Sequence, residues 1–125
     1  MAAAQAIGWS TGTRFSFAVV AEDDTPLGHV VAKVHRGGVA EVGYWTAAEV
    51  RGQGVAPRAL EAVSQWALGA QHITPLTRLD LLHAEDNTAS CHVAQKCGYP
   101  LRDLLPPAPP AFPGRAHRHV RISTS

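Results

Sequence analysis

The chain has little that would mark a specialised environment. Its 125 residues contain no apolar run near the length that crosses a bilayer. The start, Met1-Ala2-Ala3-Ala4-Gln5-Ala6-Ile7-Gly8, has neither a basic segment nor a sustained apolar stretch ahead of a cleavage site, so it does not read as a secretory leader. There are only two cysteines. Cys91 and Cys97 stand six apart on different faces of what reads as one helix, which disfavours an internal disulfide and is compatible with a reducing compartment. A cytoplasmic location is the expectation. Excess charge is absent too: 11 Lys plus Arg against 10 Asp plus Glu leave a net charge of +1, which argues against a protein that lives on polyanions. No membrane and no specific nucleic-acid partner are expected. Internal repeats are also missing. What is present is ordinary: 46% hydrophobic and 17% charged residues exclude wholesale disorder and a coiled coil, and the length suits one domain over residues 1–125 with one core.

Along the chain, Phe15 to Ala21 is rich in β-branched and aromatic residues and stops at the turn chemistry of Asp23-Asp24-Thr25-Pro26. Leu27 to Val34 resumes the strand pattern, Arg36-Gly37-Gly38 supplies a tight hairpin, and Val39 to Thr46 pairs back on the strand before it. Alternation puts Glu41 and Trp45 on one face of that strand. From Pro57 the period becomes helical, with Leu60, Val63, Ala67 and Leu68 inward and an end near Gly69. Arg78 to His83 is a further strand, reached through a helix and so expected to be parallel to the third. Asn87 caps a second helix whose inward stripe is Ala89, Val93 and Cys97, and Gly98 stops it. Five of the nine prolines fall between Pro106 and Pro113 and mark a semi-rigid loop. Ala116 to Ser123 closes the chain as a strand with Val120 and Ile122 inward. The expected fold class is α+β, a mixed α/β sheet that is mostly antiparallel, twisted, with one central parallel pair and flanking helices.

The segment Arg51-Gly52-Gln53-Gly54-Val55-Ala56 joins the third strand to the first long helix. There, free backbone amides and the positive end of the helix dipole face one space. Such a place binds phosphate. Gly52 and Gly54 allow close approach of a pyrophosphate, and small Ala56 keeps the helix start near it. It is neither a P-loop, lacking Lys-Ser/Thr after the glycines, nor a dinucleotide fingerprint, lacking a third spaced glycine.

This strand, the Arg-x-x-Gly-x-Ala loop and the helix resemble the coenzyme A pyrophosphate loop of the GNAT superfamily of N-acetyltransferases. The flanks add to the likeness: Ala40-Glu41-Val42-Gly43-Tyr44-Trp45 before the loop, and Asn87-Thr88-Ala89-Ser90 with Val93, Lys96, Gly98 and Tyr99 after it. Together they resemble the branch that acetylates N-terminal amines of ribosomal proteins, over about Phe15 to Ser123. The resemblance implies that acetyl-CoA is the acyl donor and a primary amine the acceptor. It also implies that the amides of Arg51, Gly52, Gln53, Gly54, Val55 and Ala56 hold the pyrophosphate, and that Trp45, Thr46 and Ala47 bond the pantetheine where two strands splay. Asn87 then sits beside the pantetheine and Ser90 near the thiol sulfur. An amine must lose a proton to attack, and Glu41 is the candidate base. Hence the expected function: an N-acetyltransferase, the alternative being a catalytically silent acyl-CoA-binding module of the same fold.

Each residue also has a plainer reading. Asn87 caps a helix, Ser90 bonds its own backbone, Glu41 faces solvent, and the Tyr44 and Trp45 side chains pack. Seven histidines raise the question of a metal. His117 and His119 share a strand face and His83, Cys91 and His92 lie close in sequence, but none has paired-ligand spacing, so no metal is expected. Arg115, Arg118 and Arg121 give the last strand a basic tint that a solvated strand explains. Family members begin with a strand and one or two helices that wall the acceptor side. Here only Met1 to Arg14 precede the first strand, so that wall is expected to be missing or a stub. A homodimer that covers the exposed sheet, with Ile7 and Trp9 at the contact, follows.

Overall fold

The computed structural model describes residues 4–7, 14–71 and 73–123, with the backbone alone at 4–7. The strands are β1 (Ala4–Ile7), β2 (Arg14–Val20), β3 (Pro26–His35), β4 (Val39–Thr46), β5 (Arg78–Ala84), β6 (Leu101–Leu105) and β7 (Ala116–Ile122); the helices are α1 (Val55–Gln65) and α2 (Thr88–Lys96). The seven strands form one sheet in the order β1-β2-β3-β4-β5-β7-β6. Its neighbours are antiparallel except β4 and β5, the parallel pair at the centre, which α1 connects.

Burial alternates where β-branched and aromatic residues alternate. Phe15, Phe17 and Val19 of β2, Val30 and Ala32 of β3, Ala40 and Val42 of β4 and Leu79 and Leu81 of β5 turn one face inward onto Val55, Ala59, Leu60 and Val63 of α1. Past Gln65 the helix continues as a wider π turn, Trp66–Ala70. Trp66 meets the edges of Phe15 and Phe17 at centroid distances of 5.2 Å. Such contacts contribute about 0.5–1.5 kcal/mol beyond burial. The two helices touch where Cys97 Sγ donates to Pro57 O at 3.2 Å, and burial pushes that thiol up to about 11. Beside it Tyr99 is fully buried with its hydroxyl 2.6 Å from Ser64 Oγ, and burial holds the phenol neutral far above its ordinary range.

A four-residue strand, β1, stands at the sheet edge with its backbone paired antiparallel with β2, in keeping with the expected stub. Ile7's side chain and Trp9 lie outside the described residues. Leu101–Leu105 forms β6, an edge strand paired with β7. Ile122 is 59% exposed rather than inward; it is the last residue of β7, where the strand runs out. The β6–β7 register also shifts between Leu101 and Asp103, the mark of a bulge or irregularity. Finally, the three arginines of the last strand and its approach are each paired: Arg115 with Glu85, Arg118 with Asp103, and Arg121 with Glu61.

Candidate active site

β4 and β5 pair only from Val39 with Arg78 to Val42 with Leu81, yet β4 runs on to Thr46 and β5 to Ala84. Beyond Val42 the strands part. Ala47 N donates to Leu27 O at 2.8 Å, and in an antiparallel ladder main-chain groups alternate sides, so those of Trp45 and Ala47 face β3. The N–H and C=O of Tyr44 and Thr46 therefore face the gap. Gly28 makes this close approach possible, since a Cβ there would run into the Trp45 carbonyl oxygen.

The loop after β4 supplies the next wall. Its glycines take left-handed conformations, Gly52 at φ 81° and Gly54 at φ 77°, which turn the chain into α1. Arg51 N and Gln53 N bond back to Ala48 O and Val50 O at 3.3 Å each. The amides of Gly52, Gly54, Val55 and Ala56 have no internal partner among the described residues and belong to the free N–H groups of a helix start. Arg58 holds the loop from below: its Nε donates to Gly54 O and its Nη2 to Gln53 O, both at 3.0 Å.

Across the gap stands the first turn of α2. Asn87 Oδ1 accepts from Ser90 N at 3.1 Å, the usual N-cap bond, and so fixes Ser90 at the helix start. Tyr44 Oη donates to Ser90 Oγ at 3.1 Å, and burial raises the phenol's pKa so that it keeps its proton. Ser90's own hydroxyl hydrogen is then free to point into the cleft. Two lobes meet here. One, of about 640 Å³, runs from Tyr44, Trp45 and Thr46 to the glycine loop and to His92, Val93 and Lys96. The other, of about 550 Å³, lies between Gly43, His83, Glu85 and Asp86 and the loop segment of Ala111, Phe112, Pro113, Gly114 and Arg115. Tyr44, Asn87 and Ser90 line both.

A profile of the acetyltransferase (GNAT) domain matches residues 1–100. The chain belongs to the GNAT family. Solved structures share the fold. A variant of the spermidine N-acetyltransferase SpeG from Vibrio cholerae superposes with a TM-score of 0.78 at 18% identity, over 90% of this chain and 67% of that one. The ribosomal-protein-S5-alanine acetyltransferase from Vibrio fischeri gives 0.79 at 21% identity, over 91% and 64%. The ribosomal-protein α-N-acetyltransferase RimL in complex with coenzyme A gives 0.76 at 20%, over 89% and 63%. The chain thus spans roughly two-thirds of the length of these proteins. No curated protein sequence matches it.

In this GNAT domain the cleft brings together Trp45, Thr46, Arg51, Gly52, Gly54, Val55, Ala56, Asn87 and Ser90 of the residues singled out from sequence. Ala47 and Gln53 do not line either lobe, and Trp45 stands at the rim, 59% exposed. Glu41 is placed apart. It is on the opposite side of β4 from Tyr44, faces solvent and stands 3.7 Å from His35 Nε2. Tyr44, read as a packing residue, turns out to be the hydrogen-bond donor to Ser90. Sequence spacing carries no signal for that contact, since 46 positions separate the two. Arg58 and Gly28 were likewise out of reach, whereas alternation along β4 does place Tyr44 opposite Glu41.

Proposed function

We propose that this protein is an acetyl-CoA-dependent N-acetyltransferase that moves an acetyl group to a primary amine, a protein N-terminus or a small amine, by direct transfer. The observation that carries this reading is the parting of β4 and β5, which aligns open main-chain groups of Tyr44 and Thr46 with the glycine loop at one end and Ser90 at the other. The donor suits the residues present. A Cβ on Gly52 would meet nothing, so the loop's open side has room for a pyrophosphate against the amides of Gly52, Gly54, Val55 and Ala56. Arg51 and Lys96 add positive charge, and Thr46 and Asn87 would bond the pantetheine arm.

In the transfer, an amide of Tyr44 or Thr46 would polarise the thioester carbonyl as charge builds on its oxygen. The amine nitrogen attacks the carbonyl carbon, the C–N bond forms and the C–S bond breaks. The amine's proton passes to water in the second lobe. Ser90, held by Tyr44, donates its hydrogen bond to the leaving thiolate; a thiol of pKa about 8.5 needs that help rather than a complete proton at the moment of departure. Positioning of amine and thioester supplies most of the rate. Glu41 on the far side of β4 favours a second reading, a catalytically silent acyl-CoA-binding module.

Calorimetry with acetyl-CoA, followed by a thiol-release assay against a panel of amines and N-terminal peptides, tests both. Binding with acceptor-dependent release supports the transferase; binding without release supports the silent module; no binding removes both. A homodimer and a cytoplasmic location belong to the same proposal. Among the described residues no helix is long and apolar enough to cross a membrane. Sedimentation at micromolar concentration that returns a monomer would dispose of the dimer.

A further inference from the structure

Behind the second lobe, β5, β7 and α2 bring four soft or borderline ligands together. His83 and His117 are directly paired across β5 and β7, His119 lies two residues on, and Cys91 sits one residue past Ser90 on α2. One ligand atom from each lies within 4.8 Å of all the others. His83 and His119 are 4% and 0% exposed.

Their hydrogen bonds define what the rings can do. His83 Nδ1 stands 2.7 Å from Ala84 O and His119 Nδ1 2.9 Å from Tyr99 O. A carbonyl oxygen only accepts, so each Nδ1 carries the hydrogen and each neutral ring presents its lone pair at Nε2. These two Nε2 atoms face one another at 2.9 Å. Two lone pairs at that separation repel unless a cation lies between or beside them. An Nδ1–H bonded to a backbone carbonyl with Nε2 left open is the arrangement that orients a metal-binding histidine. His117 Nδ1 is buried with no hydrogen-bond partner among the described residues. Among the described residues Cys91 Sγ receives only a long 3.7 Å contact from Gln95 Nε2.

We propose that His83, Cys91, His117 and His119 bind one divalent transition-metal ion of the zinc type, as a clamp that fastens the first turn of α2 to β5 and β7. Three imidazoles and one thiolate are a borderline-soft set that suits zinc over magnesium or calcium. With Zn–N near 2.0–2.1 Å and Zn–S near 2.3 Å, tetrahedral ligand atoms stand roughly 3.3–3.6 Å apart, inside the spread seen here. Four protein ligands leave no open position, so the ion's role is structural rather than that of a Lewis acid for the transfer. It would hold the turn that carries Ser90. Spacing along the chain hides this site, because the ligands come from three elements that only the sheet order brings together. His92, the sequence neighbour of Cys91, points instead to the donor lobe.

The test uses tag-free protein dialysed against a chelator, titrated with zinc in competition with a chromophoric chelator and, separately, with cobalt as a spectroscopic probe. The expected result is one ion per chain with a sub-micromolar Kd, tetrahedral cobalt bands in the visible, a thiolate-to-cobalt charge-transfer band in the near ultraviolet, and a raised Tm. Cys91→Ser should remove the charge-transfer band, and Cys91→Ser or His117→Gln should each weaken zinc binding by at least about 100-fold. Both side chains are only partly buried, and circular dichroism of each metal-free variant checks that the fold survives. Absence of stoichiometric binding at micromolar zinc would overturn the proposal and leave a proton shared between His83 and His119. So would a cobalt spectrum without the thiolate band, or binding unchanged in both variants.

Discussion

The proposed donor lobe takes much of its wall from main chain: four amides of a glycine loop that have no internal partner among the described residues, the edge of β4 beyond Val42, and the cap of α2. The second lobe is walled by side chains, His83, Glu85, Asp86, Phe112 and Arg115, with the ion pair of Arg115 and Glu85 at its mouth. On the proposed function, a wall of amides would recognise what every donor of its class has in common, a diphosphate and an amide-bearing arm. It tolerates changed side chains and fails when the backbone conformation changes. On the same proposal, a wall of side chains would recognise an individual acceptor and behave the opposite way. The two meet at Tyr44, Asn87 and Ser90, where the Tyr44 hydroxyl donates to Ser90.

The largest effect should therefore come from the loop backbone. Gly54→Asp forces a β-carbon into φ 77°, where L residues are disfavoured by about 1–2 kcal/mol, and sets a carboxylate beside the phosphates. Acetyl-CoA binding measured by calorimetry should fall by about 100-fold or more. Gln53→Ala, in the same loop but with a side chain that among the described residues bonds only Glu49 O, should change the Kd by no more than about threefold. Equal losses in the two variants would break the distinction between main-chain and side-chain recognition.

At the junction, Ser90→Ala removes a hydrogen bond to a developing thiolate, worth about 1.5–3 kcal/mol, so kcat should drop by roughly 10–100-fold while donor binding is kept. Tyr44→Phe leaves Ser90 in place without its donor and should cost less, about 3–10-fold in kcat. Glu41→Gln should leave kcat within about twofold, because that carboxylate lies on the other side of β4. A large loss in Glu41→Gln with an unchanged Tm would restore Glu41 as the base.

The same contrast explains what could be read from residues alone. The parts of the first lobe could be placed because they are contiguous: Arg51 to Ala56 is one loop, Asn87 and Ser90 one helical turn, and the pleat from Val39 to Thr46 orders β4. The side-chain lobe and the histidine cluster were not, because His83, Cys91 and His117 come from three elements whose neighbourhood depends on the crossing order β5-β7-β6. β1 and β6 escaped for a local reason. Ala4–Ile7 is too short to carry a period, and in Leu101–Leu105 the leucines at 101 and 104 are exposed, so no inward stripe marks the strand. Ile122 was misplaced because alternation tells which face a residue takes, not whether that face is still covered at the end of a strand.

The smallest expected effect concerns what ties the two regions together. Arg121 of β7 reaches Glu61 of α1 with both terminal nitrogens, at 2.8 and 3.1 Å, and Cys97 O at the end of α2 at 3.0 Å. The hydrogen bond from Arg121 is the main cause that holds the Glu61 carboxyl below the ordinary carboxylate range. A carboxyl depressed in the folded state binds protons more readily once unfolded. Its contribution is therefore fully present above the unfolded pKa of about 4.3 and is lost as the pH falls through the lower folded value. The pair is partly open to solvent, so screening keeps its worth below about 1 kcal/mol. Glu61→Gln should lower Tm slightly at neutral pH and flatten the acid side of a Tm profile taken from about pH 6 to about pH 3, with high salt reducing the difference. If the two acid limbs run parallel instead, the tie between the helix that starts at the donor loop and the strand that carries His117 and His119 rests on packing alone, and the two lobes are coupled through the core rather than through this charge.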